Sequence, residues 1–521
     1  MVSCIILDFG YLLRDRLIKK WYGIGQEFIV TDDELDRKSD KVGKTIDAVI
    51  GKGLVPSYPI YILLLLNQYE AANNIDPKIS SYGYLYQTLI NNMLISINKD
   101  NDSIGIFDSY LCELAYYIFR SSKKIIDIND ILEVNERFCK KYALRLSHEK
   151  KLEELILCHI LEYIDSNSLK MKYSYIYYYF VAKYFSDNID LKEIRDYICE
   201  LSKNLYIEEY ANIILFLCHL RKDQFIIDEI MLNSMLIFES ISEFDFDNYG
   251  EFIKNMDRKS QKISLSISDD VKKNRDNLLS KQDEYRYKSF KESQEQTAIA
   301  SETTENDTEL NNILDINKAF KTLEILGQIL KNYPGKIIAE VKHDIAYECH
   351  NLGMRILGAF TELIECSIDN IIENMVKEVN KHNNANILNI EDKVRKFLYY
   401  LVENVSVLLV KKVSDSISND KLVETYTELL RCNSSTSFKI INMSIKFDCL
   451  NIFNVDEIIK LYKELDNNNN CFAANILRRM VIHYMYLHKV DYKYKQRICQ
   501  ELNVKVSGVT TLQLKGGHVE K

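Results

Sequence analysis

Residues 172–185 read KYSYIYYYFVAKYF, a run of six tyrosines and two phenylalanines in which Lys183 is the only interior charge. A surface segment cannot leave that much apolar area in water. Burying each such ring is worth about 1.5–3 kcal/mol. The run must therefore form the inner face of a junction, and what it joins sets the architecture.

The rest of the chain says that the joined elements are helices. Only 16 glycines and 4 prolines interrupt 521 residues, too few for a turn-rich β protein. Pro56, Pro59, Pro77 and Pro334 all fall at helix boundaries. A chain this long exceeds one hydrophobic core and predicts roughly two to four domains, mainly α. The net charge of −9 argues against a general polyanion-binding surface, and short runs such as Lys19-Lys20 do not make a nucleic-acid patch. Residues 1–11 lack the basic start of a secretory signal, and the apolar stretch 58–66 is too short to span a bilayer. The 12 cysteines are scattered singly, as reduced thiols in helical cores would be. A soluble, cytoplasmic helical protein is expected.

Composition divides the chain. Residues 283–312 include ESQEQTAIASETTENDTELNN, polar and poor in aromatics, and read as a linker or long surface loop continuing a charged helical stretch from 269. Beyond it, periodicity predicts helices near 313–332, 336–357, 359–381, 391–416, 419–431, 435–447, 455–465, 470–487 and 491–502. Before it, helices are predicted at 12–26, 32–50, 58–69, 80–97, 104–120, 152–164 and 175–185, with a short strand across 168–173. Helices flanking a small β-element are the pattern of a winged helix. The expected division is a helical lid-like domain at 1–149, a winged-helix-like module and following helices at 150–240, and a charged helix with linker at 241–312. A C-terminal helical bundle or irregular α-solenoid follows at 313–505, and a tail at 506–521.

Sites of chemistry are scarce. Gly43-Lys44-Thr45 looks like the end of a phosphate-binding loop, but Lys38 stands where the first glycine belongs and DDELDRKSD before it reads as a charged helix, not a strand. The sequence contains no other candidate for that loop and no acidic strand to hold magnesium. Cys158-His159 and Cys218-His219 are adjacent pairs that diverge on a helix, and His483 and His488 are five apart, where four would face one ion. His343 and His350, with Asp344 and Cys349 nearby, are the best of a weak metal set, and no metal site is assigned. No nucleophile elbow or zinc-protease motif occurs. The segment LVPSYPIYILLLLNQY at 54–69 is different: two prolines fix its start, and the helix behind them is apolar on nearly every side.

Taken in order, these segments resemble the C-terminal part of bacterial STAND-class, NACHT-like ATPases. ILDFGYLLRDRLIKKWYGIGQ at 6–26 is similar to the strand end and helix that open their lid, 55–68 to the proline-led lid helix, and 172–187 to the winged-helix segment. AFKTLEILGQIL at 319–330, with 348–364, is similar to a helical region found after the ATPase. The resemblance implies that Pro59 sits over a nucleotide base. It also implies that Tyr173 stands where the family commonly has a phosphate-contacting histidine, and a phenol there donates a hydrogen bond without adding charge. The implied role is regulatory, in bacterial defence or signalling: a sensor that changes conformation with nucleotide state, with no complete ATP site of its own. No cofactor is expected on the isolated chain, and ATP or ADP is expected only if a P-loop core completes the site. The expected partners are that core, another protein, or a second copy, without nucleic acid or membrane. The rival readings are an all-α protein–protein interaction scaffold with no nucleotide link, and an enzyme whose site forms only in three dimensions.

Overall fold

The computed structural model describes residues 8–26, 29–50, 57–75, 82–95, 101–257, 264–265, 270–296, 308–382, 387–448, 450 and 452–506. The fold is mainly α. Two compact units divide it, one drawn from Met1–Ile29 and Lys38–Asn233, the other from Val30–Arg37 and Ser234–Lys521.

The first stretch of chain runs through α1 (Tyr11–Gly23), α2 (Asp32–Ile50), α3 (Pro59–Ile75), α4 (Tyr82–Ile95) and α5 (Asn101–Ser121). Then come β1 (Ile126–Asp127), α6 (Ile128–Tyr142), α7 (His148–Leu157), β2 (Leu161–Tyr163), β3 (Ser168–Met171) and α8 (Ser174–Asp187). Helices α9 (Lys192–Lys203), α10 (Glu208–Leu220) and α11 (Gln224–Leu236) follow. Local chemistry sets the boundaries here. Asp127 and Asp130 form a reciprocal capping box at the start of α6, and Ala143 ends it in the left-handed region with φ 52°. Ser147 caps α7, and the Asp165 carboxylate accepts from the amides of Asn167 and Ser168 at 2.9 and 2.8 Å to close the β2–β3 turn. The three strands are antiparallel in the order β1-β3-β2, with Leu161 opposite Met171 and Ile126 opposite Leu169.

Helix α8 carries the tyrosine run, and it is buried on almost every side. Tyr175, Ile176, Tyr179, Phe180, Val181, Ala182 and Phe185 are all buried, packed chiefly against α5 and α10. Tyr184 stacks on Tyr116 with centroids 4.0 Å apart, and Phe185 meets Phe119 edge-on at 5.3 Å. Lys183, the one interior charge, is neutralised by Asp108 on α5.

The second stretch comprises α12 (Glu251–Asp257), β4 (Ser264–Leu265), α13 (Val271–Gln296), α14 (Thr308–Asn332), α15 (Ala339–His382) and α16 (Ile387–Ile417). A 3-10 turn (Asp420–Leu422) leads to α17 (Val423–Cys432), α18 (Thr436–Asp448), α19 (Val455–Asn467), α20 (Cys471–Leu487), α21 (Tyr492–Glu501) and β5 (Lys505–Val506). Strands β4 and β5 pair in parallel. Helices α14, α15 and α16 form the centre and touch where side chains vanish. A Cβ at Gly327 would collide with the Ser416 carbonyl, and one at Gly353 with the Val413 side chain. Two buried polar networks tie this centre to its neighbours, α15 to the end of α11 and α16 to α20. Arg355 reaches Glu348 at 2.7 Å and the carbonyls of Ser234 and Ile237 at 3.0 and 3.1 Å. Glu403 accepts from Arg479 at 2.5 Å and from Asn475 at 3.1 Å.

Several expected elements are redrawn. The helix expected at 152–164 stops at Leu157, because the chain turns left-handed at His159 (φ 61°) and enters β2. The break expected at residue 358 is absent: Gly358 lies inside α15, where a Cβ would strike the Ser242 carbonyl, so the glycine permits close approach and ends nothing. Of the expected linker at 283–312, residues up to Gln296 and from Thr308 are helical. Residues 297–307, the tail from 507, and Pro56 and Pro77 lie outside the described residues.

Candidate functional site

The first unit gathers aromatic side chains and two nitrogen bases around the start of α8. Ser57 begins the arrangement: it is buried, its hydroxyl donates to the Phe9 carbonyl at 2.5 Å, and the Phe9 amide donates back to the Ser57 carbonyl at 2.8 Å. That exchange fixes where α3 starts. Pro59 takes the first helical position, where a residue without an N–H costs nothing and the ring presets φ. One residue either side of it, the segment carries Tyr58 and the exposed Ile60, and Tyr58 stacks on Tyr61 at 6.4 Å.

Tyr173 is the N-cap of α8 and makes no side-chain capping bond. Its hydroxyl lies 3.4 Å from the hydroxyl of Tyr61, so the proline-led helix and the aromatic helix meet phenol to phenol. Behind the contact, Tyr173 stacks on Tyr175 (5.6 Å), Tyr175 meets Tyr86 at a tilt (5.4 Å), and Tyr86 meets Phe216 edge-on (4.9 Å). Burial and the Tyr173 contact push the Tyr61 phenol up, and burial does the same to Tyr175, so both remain neutral donors. Pro59 and Tyr173, predicted separately, thus stand on two elements that Tyr61 joins.

Two residues that sequence reasoning missed complete the cluster. Lys172 Nζ lies 3.3 Å from His159 Nδ1 and 5.8 Å from the Tyr173 ring centre. The Lys172 amide also donates to the Ile160 carbonyl at 2.9 Å, which ties the end of the β3 strand to the turn after α7. An ammonium can only donate, so Nδ1 accepts and the ring proton sits on Nε2. The pair therefore presents a positive charge and a second N–H donor beside the tyrosines, a combination suited to an anion. His159 is exposed and holds φ 61°, a region that side-chain-bearing residues seldom occupy. Only the doublet Cys158-His159 hinted at it in the sequence, and the left-handed turn that aims it closes α7 locally, with the Ile160 amide donating to the Leu155 carbonyl at 3.0 Å.

The remaining candidates resolve into structural roles. Gly43-Lys44-Thr45 lies inside α2, with Thr45 donating to the Lys41 carbonyl at 3.3 Å, and so cannot wrap a phosphate. His350 is buried flat against Phe438 at 4.5 Å, and burial pulls its pKa down to about 4. His343 pairs with Asp344 at 3.7 Å, and His483 lies 3.2 Å from Lys411 Nζ. Among the described residues no group of His, Cys, Asp or Glu is arranged to hold a metal ion, the cysteines that are described are free thiols, and no helix is long and apolar enough to cross a membrane. Lys151 is a buried lysine held by rings, with Nζ 3.9 Å from the Tyr110 centre, 4.8 Å from that of Phe138, and 3.4 Å from Asn135 Oδ1. Its burial lowers its pKa to about 8.

No curated protein and no solved structure matches the chain. A family model described as novel STAND NTPase 4 matches residues 124–181, the segment running from β1 into the aromatic helix and containing His159, Lys172 and Tyr173. Over that segment the chain is similar to STAND-type NTPases.

Proposed function

We propose that the first unit is the lid and winged-helix portion of a STAND-type switch, regulatory rather than hydrolytic, serving bacterial defence or signalling. Helix α5, strand β1, helices α6 and α7 and the β2–β3 hairpin follow one another in winged-helix order, with the strands arranged β1-β3-β2. In that order α7 takes the place of the recognition helix. The aromatic helix α8 comes after the wing and serves as the packing strut behind it. The observation that carries the reading is the Tyr61–Tyr173 contact at 3.4 Å, which joins a proline-led helix to the segment similar to STAND NTPases. A nucleotide held by a P-loop core, whose motif this sequence does not contain, would place its base near Pro59 and its phosphates near Lys172 and His159. Lys172 supplies the positive charge that Tyr173 lacks, and His159 a second N–H donor. Changes in phosphate occupancy would shift the α3–α8 packing between two arrangements.

The test is photolabelling of the purified full chain with azido-ATP, alongside an ATP hydrolysis assay. The expected result is no turnover and no saturable labelling of the chain alone, because the groups near Pro59, His159 and Lys172 meet a nucleotide only when a P-loop core holds it. Measurable hydrolysis, or labelling confined to the second unit, would overturn the proposal.

A further inference from the structure

Helix α16 buries one face in the centre of the second unit, through Val394, Leu398, Val402, Leu409, Val410 and Val413. It also leaves a second apolar stripe outside. Phe397, Tyr400 and Leu408 are 56%, 39% and 65% exposed, although each is a large side chain that burial would favour. A single exposed leucine or phenylalanine is ordinary, but three on one face, spanning about 16 Å at 1.5 Å per residue, form a surface of the kind that partners cover. Residues 393, 397, 400, 404, 408 and 412 recur every three or four positions and so share that face. Asn404 lies midway, its side-chain oxygen accepting from Arg479 at 3.1 Å, and the charge of Arg479 is already met by buried Glu403. The two ends are charged. Arg395 and Lys396 are held within the helix by Glu391 and Asp392, whereas Lys393 and Lys412 are exposed on the face itself, one at either end of the stripe.

We propose that this face docks an amphipathic helix of a partner protein, with apolar side chains facing Phe397, Tyr400 and Leu408 and carboxylates at its two ends facing Lys393 and Lys412. Charge decides the occupant. A second copy using the same face would set lysine against lysine whether the helices ran parallel or antiparallel, so like charges oppose self-association. An acidic-ended helix meets both lysines favourably, and its apolar stripe covers Phe397, Tyr400 and Leu408 between them. The proposal is independent of the nucleotide reading of the first unit.

The probe is a fluorescent, stapled peptide helix of about 20 residues, long enough to span the 393–412 stripe at 1.5 Å per residue. It carries leucines at positions i, i+4, i+7 and i+11 and glutamates at both ends. Its anisotropy is titrated with the full chain. Saturable binding is expected, weakened at least tenfold by Phe397→Ser with Leu408→Ser. Lys393→Glu with Lys412→Glu should weaken the glutamate peptide and strengthen a matched lysine-ended one. All four residues are exposed, so unchanged thermal midpoints show that these variants fold. Absence of saturable binding, or binding indifferent to both variants, would overturn the proposal. So would a dimer in sedimentation that Phe397→Ser with Leu408→Ser converts to monomer, since the occupant would then be a second copy.

Discussion

Around Phe180 the first unit packs ring against ring, whereas around Arg355 the second packs an ion pair into a crossing of bare helices. The two cores hold together by different physics. Aromatic burial is non-directional and tolerates small shifts, so a ring removed leaves a cavity that its neighbours partly fill. A buried ion pair is directional and unforgiving, because losing one partner strands a charge in a medium that cannot solvate it. A switch element benefits from the first kind of core, and a rigid scaffold from the second. The Tyr61–Tyr173 junction lies in the soft aromatic core, and the docking stripe on α16 lies on the rigid one.

The largest expected effects test that difference directly. Arg355→Leu should destabilise the second unit by about 3–5 kcal/mol, and Glu348→Leu added to it should restore most of the loss, because the pair rather than either residue is tolerated. Phe180→Ala should cost the first unit about 3–5 kcal/mol, with no single partner substitution able to restore it. Hydrogen exchange read on peptides from each unit separates the two outcomes. Rescue of Phe180→Ala by one neighbouring change, or failure of the Glu348→Leu rescue, would break the distinction.

Much of this contrast was readable from sequence, though unevenly. The burial of α8 followed from composition alone, and the bounds of α2 from the run Asp32-Asp33-Glu34 that favours a helix start. The second unit was misread where glycine had two meanings. Gly358 looked like a helix end, and only the Ser242 backbone lying against it shows why a side chain is excluded there. At the candidate site, Pro59 and Tyr173 entered only through the resemblance to STAND-type ATPases, although the proline's place at a helix start was legible from backbone chemistry. His159 was not, since the apolar run Leu155, Ile156, Leu157, Ile160 and Leu161 continues a helical pattern straight through the turn that exposes it. Strand β1, two residues long, has no period to detect and exists because β3 offers it a partner.

Acid and base should also separate the units, in opposite windows. In the second, the folded pKa of His350 is about 4, below the usual 6.5, so the unfolded chain binds the proton first. Stability is therefore complete above pH 6.5 and lost as pH falls towards 4, by up to about 3 kcal/mol, and His350→Gln should flatten that slope. In the first, Lys151 has a folded pKa of about 8 against the usual 10.5. Stability should rise with pH between those values, and Lys151→Met should raise stability at neutral pH by about 1–2 kcal/mol by removing a charge that only rings and an amide solvate. Urea denaturation across pH, read by exchange on each unit, checks both signs. The buried tyrosines, whose phenols burial pushes up, lower stability as pH approaches 10. The Lys151 assignment is therefore read between about pH 8 and 9 as the difference from Lys151→Met, and a slope there that Lys151→Met leaves unchanged would contradict it.

The smallest effect is the most pointed. Tyr61→Phe deletes one hydroxyl whose partner is 3.4 Å away, a long contact on a half-buried face where water can replace it. Its expected cost is about 0.5 kcal/mol, near the lower limit for a hydrogen bond. The ring contacts of Tyr58, Tyr173, Tyr175 and Tyr86 survive the change, so amides at the start of α8 should exchange no more than about threefold faster. Tyr173→Ala removes the ring itself and should loosen the same amides far more. Packing then holds α3 to α8, and the phenols only set its register. If Tyr61→Phe loosened α8 as much as Tyr173→Ala, the hydrogen bond would be the latch, and the junction would be held by a directional contact rather than by packing.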